Sequence, residues 1–200
     1  MSSSDYKVLD LTDPELVRIL DSGGIAVLPT DTVYGVCAAA ADKKAVEKLY
    51  RLKSRKSKPG TVIAPSIDSL VDLGIKRRYL TAVEQYWPGA ISIEIPHGIG
   101  YLSQSTGRQA FRVVKEPVDL VQLLEKTGPL VTSSCNPPGE KPAGNIDEAA
   151  EYFGADVDVY TDGGDLSGRK PSTLIRIIDD AVEIIREGSV KIDESGRIET

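Results

Sequence analysis

Residues 25–28, Ile-Ala-Val-Leu, constrain the fold of this 200-residue chain more than any other stretch. Gly23-Gly24 closes the run in front and Pro29 behind, which leaves room for a short strand. A strand that is apolar at every position is buried on both faces, the habit of an α/β sheet. The segment before it, 13–22, reads as a helix. Thr12 or Asp13 can cap it, Pro14 suits its first turn, and Leu16, Val17, Ile19 and Leu20 give it one apolar side. The strand ends in Pro29-Thr30-Asp31-Thr32, so hydroxyls and a carboxylate stand at a strand end, where open α/β sheets keep their ligand crevice.

The same alternation continues. Asp42 can cap a helix that runs on to a stop at Pro59. Residues 60–64 read as a strand, 66–73 and 76–87 as helices, 90–95 as a half-buried strand, and 96–108 as loop. A strand over 110–114, a helix over 118–126 and a strand over 129–132 follow. Next come a polar turn from Ser133 to Gly139, a helix over 146–153, and a strand over 157–160. The chain closes on a strand pair, 173–178 and 181–185, joined at Asp179-Asp180. Helices and strands that alternate early and pair locally late predict one α/β domain over 12–190, with a mixed sheet flanked by helices. Residues 1–11 and 191–200 are expected to be tails.

Charge is unevenly spread. The chain totals −6, yet residues 43–58 carry eight Lys or Arg and one Glu, a local +7, which leaves −13 for the rest. Concentrated cations in an acidic chain favour one local anion site over a nucleic-acid-binding surface. Within that segment Arg55 offers a planar fork for phosphate. No apolar run is long enough to span a bilayer, and Met1-Ser2-Ser3-Ser4-Asp5 lacks the layout of a secretion signal, so a cytoplasmic location is expected. Cys37 and Cys135 fit no metal-ligand spacing; Cys37 reads as core. His97, the single histidine, lies in a Pro-His-Gly turn and reads as a solvated loop residue, and Trp87 reads as a packing anchor.

Five separated stretches then combine: Pro29-Thr30-Asp31-Thr32-Val33-Tyr34-Gly35; Lys53-x-Arg55 with Lys58-Pro59; Ser134-x-Asn136 after a strand; Pro171-Ser172-Thr173; and Ile185-Arg186-Glu187-Gly188. In this order and spacing the chain resembles the YrdC/Sua5 family in its short form, over roughly residues 12–190. The resemblance implies a twisted mixed sheet with a concave basic cavity. It also implies a threonylcarbamoyl-AMP synthase that joins L-threonine, bicarbonate and ATP and releases pyrophosphate. Magnesium would come with the ATP phosphates rather than on a protein metal site. Downstream threonylcarbamoyl-transferase proteins would carry the group to adenosine 37 of tRNA, with at most weak tRNA binding here and no membrane partner.

By the same resemblance Lys53 and Arg55 are the catalytic cations. Arg55, Lys58, Ser134, Asn136 and Arg186 would face ATP. Thr32, Arg112, Thr132 and Ser172 would face threonine. Thr30 and Asp31 read as turn structure. Such a reaction asks for cations, donors and positioning rather than a covalent nucleophile, which agrees with a chain that shows no catalytic triad. The chain departs from the family pattern at Gly60, where a bulky apolar residue is common, at Val114 in place of a proline, at Ser133 and Cys135, and at Pro137-Pro138. A non-catalytic relative that uses its basic face for RNA or ribosomes is the alternative reading.

Overall fold

The computed structural model describes residues 6–179, 181–193 and 195–199. Residues 1–5 and 194 and 200 of the expected tails, and Asp180 of the final turn, lie outside the described residues. Nine strands form one mixed sheet: β1 (Ala26–Pro29), β2 (Tyr34–Ala39), β3 (Thr61–Ala64), β4 (Ile91–Pro96), β5 (Arg108–Val113), β6 (Leu130–Ser134), β7 (Val159–Tyr160), β8 (Thr173–Ile178) and β9 (Ala181–Arg186). Their order across the sheet is β7-β1-β2-β6-β3-β5-β4-β8-β9. The pairs β1–β7, β3–β5 and β4–β8 are parallel and the others antiparallel.

Six α-helices flank it: α1 (Pro14–Asp21), α2 (Lys43–Leu52), α3 (Ile67–Asp72), α4 (Arg77–Thr81), α5 (Val118–Thr127) and α6 (Ile146–Phe153). Local chemistry sets their starts. Asp13 accepts from the Glu15 N–H at 2.8 Å with Pro14 in the first turn, and Asp42 accepts from the N–H groups of Lys44 and Ala45. Ser66 and Asn145 cap α3 and α6 in the same way.

Because side chains alternate across a strand, each strand serves two layers. One face packs Val27, Tyr34, Val36, Val62, Phe111 and Val131 against α2 and α6. On the other face Ala26, Leu28, Cys37, Ile63 and Leu130 meet Leu16 and Leu20 of α1 and Leu120, Leu123 and Leu124 of α5. Each such leucine, fully buried, contributes roughly 1.5–3 kcal/mol. This second layer covers only part of its face. Beyond it the same alternation presents Gly35, Thr61, Ser92, Ala110, Arg112 and Thr132, residues too small or too polar to close a core. The opening they leave is where the site forms.

The structure differs from the sequence reading in four places. Residues 34–39, given no element in the sequence reading, form β2, which pairs antiparallel with both β1 and β6. The helix expected to reach Pro59 ends at Leu52, so residues 53–60 are loop. The helix expected over 76–87 breaks after Thr81 into a separate turn of 3-10 helix at 84–86. The ends are not free of the domain: Val8 bridges to Tyr160, and Ile192 is buried and bridges to Ile198. Among the described residues no helix is long and apolar enough to cross a membrane.

Candidate active site

Seven of the expected site residues line one cavity of about 140 Å³: Thr32, Arg55, Arg112, Thr132, Ser134, Ser172 and Arg186. The sheet order brings them together from six separate stretches. Thr32 comes from the β1–β2 turn, Thr132 and Ser134 from β6, Arg112 from β5, and Arg186 from β9. An adjoining cavity of about 480 Å³ shares Arg55 and Ser134 and adds Lys53, Lys58 and Asn136. The ten residues thus divide between two adjoining chambers that share lining residues.

A chain of polar contacts spans the smaller chamber. The Arg186 guanidinium donates to the Ser172 carbonyl at 2.9 Å and to its Oγ at 3.3 Å. Ser172 Oγ and Ser92 Oγ lie 2.8 Å apart. Arg112 donates to Ser92 Oγ at 3.0 Å and to Asp31 Oδ1 at 2.7 Å. Asp31 is therefore more than turn structure: it is the carboxylate partner of Arg112 in an ion pair whose side chains are only 4% and 8% exposed. Arg112 Nε and Ser133 Oγ remain buried with no partner, and both residues line the cavity. Buried donors without partners are uncommon, and a ligand oxygen would satisfy them.

Three guanidiniums line this space and no carboxylate does; Asp31 pairs with Arg112 from the adjoining turn. Burial lowers the Arg186 pKa, and Arg112 and then Arg55 lower it further, so the three sense one another. Burial lowers that of Arg55 as well, against a small opposing effect from Tyr50. Arg55 is held by its own loop, donating to the carbonyls of Lys58 and Pro59. Its fork, expected to be free for phosphate, is thus partly turned onto the backbone.

Lys53 lines the larger chamber with its ammonium turned onto the main chain. It is 4% exposed. Its ammonium donates to the main-chain carbonyls of Ser134, at 2.7 Å, and of Asn136, and lies over the Phe153 ring. Desolvation, then Arg55, pull its pKa down to about 8 against a small upward pull from Cys135. Lys53 therefore clamps the 134–136 turn. In that turn Ser134 donates to Asn136 Oδ1 at 2.7 Å, and the Asn136 amide donates to the carbonyls of Pro137 and Glu140. The Lys58 side chain is exposed at the rim.

Around Thr32 the turn satisfies itself: Thr30 Oγ1 donates to the Val33 carbonyl at 2.6 Å and lies 3.2 Å from Thr32 Oγ1. Thr132 Oγ1 accepts from the Cys37 thiol at 3.3 Å. Sequence reasoning missed Ser92, the bridge between Arg112 and Ser172. Its signal was the polar residue at alternate positions of the strand over 90–95. It also left Gly60 unexplained. A Cβ there would come within 2.5 Å of the Thr132 carbonyl, so β6 excludes a larger residue.

Cys135 is fully buried, and its pKa is pushed up to about 12 by desolvation, so it supplies no thiolate. His97 is half-buried rather than solvated. Its Nδ1 accepts from the Ile99 N–H and its ring meets the edge of Phe111. Trp87 anchors a helix end as expected, donating to the Ile91 carbonyl at 2.8 Å. Among the described residues no three His, Cys, Asp or Glu side chains converge as a metal site.

The chain matches the Sua5/YciO/YrdC sequence family, described as "Telomere recombination", over residues 18–188. It is 32% identical to the threonylcarbamoyl-AMP synthase of Cellvibrio japonicus (strain Ueda107) over 164 residues, 76% of this chain and 83% of that protein. It is 31% identical to the enzyme of the same name from Stutzerimonas stutzeri (strain A1501), over 81% of this chain and 90% of that one. E. coli YciO shares the fold with a TM-score of 0.74 and 25% identity, covering 94% of this chain and 96% of its own. P. abyssi Sua5, solved in complex with L-threonine, superimposes with a TM-score of 0.77 at 23% identity, over 88% of this chain and 54% of its own. A profile matched over residues 18–188, relatives above 30% identical over more than three quarters of both chains and a fold shared with solved structures lead to one conclusion: this protein is a member of the Sua5/YciO/YrdC family.

Proposed function

We propose that this protein is a threonylcarbamoyl-AMP synthase. The observation that carries the reading is the convergence of Arg55, Arg112 and Arg186 on one cavity whose lining includes no carboxylate, Asp31 pairing with Arg112 from the turn beside it. Such a site has an excess of positive charge to be balanced by anions, and two substrates of this reaction, ATP and the threonine-derived carbamate, are anions. The names of the curated relatives support the same reading.

In the proposed arrangement Arg112 and Ser172 hold the threonine carboxylate, and Thr32 and Thr132 hold the rest of the amino acid in the smaller chamber. The larger chamber takes the nucleotide, with Arg55, Lys58 and Ser134 toward the phosphates and Arg186 reaching them from the smaller chamber. Lys53 and Asn136 act by positioning the 134–136 turn. Threonine's amine and bicarbonate condense to a carbamate with loss of water. A carbamate oxygen then attacks the α-phosphorus, the bond from that phosphorus to the bridging oxygen breaks, and pyrophosphate leaves. The cations lower the cost of bringing the two anions together and stabilise charge on the leaving group, and no covalent enzyme intermediate is needed. Magnesium enters with the triphosphate as part of the substrate. We further propose a cytoplasmic location, with separate transferase proteins carrying the product to tRNA.

The test is pyrophosphate release with ATP, magnesium, bicarbonate and L-threonine, omitting each in turn. Release that requires all four is the expected result, with Arg55→Ala lowering kcat/KM about 100-fold or more. Release without threonine, or full turnover in Arg55→Ala, would overturn the reading. Steeply salt-dependent RNA binding with no pyrophosphate would favour a non-catalytic relative.

A further inference from the structure

The turn at Pro29, Thr30 and Asp31 has two sides. Away from the arginine cavity it walls a groove of about 690 Å³, bounded by the chain before α1, the start of α5 and the chain after β7. Four exposed carboxylates, Asp10, Glu116, Asp119 and Asp162, line it. None of the four is in an ion pair among the described residues. Arg169 is the one cation in the lining. The N-terminal turn of α5 offsets about half a charge, which still leaves the groove strongly negative.

Two buried polar groups belong to the same groove. Thr161 is 1% exposed and its Oγ1 has no hydrogen-bond partner. Asp31, with its side chain 8% exposed, gives Oδ1 to Arg112, while its Oδ2 is buried and unpartnered. Unsatisfied buried oxygens are costly, and both residues that carry them line this acidic groove. Between the charges the walls are apolar, formed by Leu11, Val118 and Leu166.

The ligand class follows from this pattern. The carboxylates do not converge in threes as a metal ion requires, among the described residues. At Asp31, whose Oδ1 is already taken by Arg112, no free two-oxygen edge remains for a guanidinium fork, so at that point a compact ammonium fits better. Apolar walls between acidic points suit methylene groups between or behind ammonium groups. We infer that this groove binds an alkylammonium ligand. Its leading ammonium donates to Asp31 Oδ2 and Thr161 Oγ1, its methylenes lie on Leu11, Val118 and Leu166, and any second ammonium meets the rim carboxylates. A free polyamine and a lysine side chain of a partner protein share this chemistry.

The test is calorimetric titration of the whole protein at physiological salt with spermidine, with Nα-acetyl-lysine amide, and with neutral 1-hexanol. Saturable binding of an amine but not of the alcohol is expected, weakened about tenfold by Thr161→Val and also weakened by Asp162→Asn. Tighter spermidine assigns the free amine, and tighter lysine amide assigns a protein side chain. No saturation by either amine up to about 10 mM would overturn the inference. So would binding that survives both substitutions unchanged, because that marks a diffuse surface attraction.

Discussion

At the scale of one residue, Lys53 carries two opposed pH effects. Its folded-state pKa, about 8, lies below its ordinary 10.5, first through burial and then through Arg55. Between those values the unfolded chain binds the extra proton, so the stability Lys53 contributes rises as pH climbs from about 8 to 10.5. The full cost of burying its charge is present below pH 8. Its grip on the Ser134 and Asn136 carbonyls runs the other way. A charge-assisted donor weakens when it becomes a neutral amine. Above pH 8 the turn should therefore loosen while the molecule as a whole gains stability. The expected outcome is a KM for ATP that rises through an apparent pKa near 8, with urea stability rising over the same range. Lys53→Met should lose both slopes. Pyrophosphate assays and urea titrations across pH check this, and a variant that keeps the wild-type KM profile would remove Lys53 from the explanation.

At the scale of elements, the loop over 53–60 shows what sequence conveys and what it withholds. Helix propensity and charge run unbroken through residues 43–58, and Pro59 is the first evident stop, so a longer helix is the natural reading. The helix ends early because Lys53 is drawn to carbonyls more than 80 residues away, and because Ser54 and Ser57 take positive φ of 48° and 53°. No local pattern records either cause. The strand over 34–39 was hidden differently. Gly, Cys and Ala have weak strand preference, but they are what a face can tolerate where Thr132 Oγ1 would lie 2.3 Å from a Cβ on Gly35. Buried runs such as 25–28 and capped helices such as α1 and α6 were legible because their causes are local. Site residues were legible as motifs, whereas Ser92 and the Asp31–Arg112 pair depend on strand register. Besides Lys53, two glutamines tether the loop from a distance: Gln109, which donates to the Gly60 carbonyl at 3.1 Å, and Gln104. Gln104 accepts from the Lys58 N–H at 2.7 Å and donates to the Arg55 carbonyl at 2.9 Å. Gln104→Ala should raise the KM for ATP about tenfold and cost about 1–2 kcal/mol of stability, with kcat within about twofold. Steady-state kinetics would show a kcat collapse instead if the tether served the chemical step.

At the scale of the whole molecule, the sheet order gathers like charges that the chain keeps far apart. Arg55, Arg112 and Arg186 come from positions spread over 131 residues, and of the three only Arg112 has a carboxylate partner, Asp31, among the described residues. Without anions that arrangement stores repulsion, and the protein retains it because a bound anion relieves it. Arg186 is the member that can be tested without breaking a buried ion pair, since among the described residues its side-chain hydrogen bonds are all to Ser172. Arg186→Met loses those hydrogen bonds but relieves the repulsion, so the ligand-free protein should change in stability by less than about 1 kcal/mol. Ligand response should change far more. Magnesium-ATP at 100 times its Kd stabilises the wild type by about 2.7 kcal/mol, and at the same concentration a tenfold weaker variant keeps about 1.4 kcal/mol. In a chain of this size that is a Tm rise of roughly 5–10 °C reduced to about half. Thermal unfolding with and without nucleotide separates the cases. If the ligand-free variant instead lost several kcal/mol and kept its full nucleotide shift, Arg186 would be a clamp on the β8–β9 end of the sheet, and the charge held in the cavity would have to be assigned to Arg55 and Arg112.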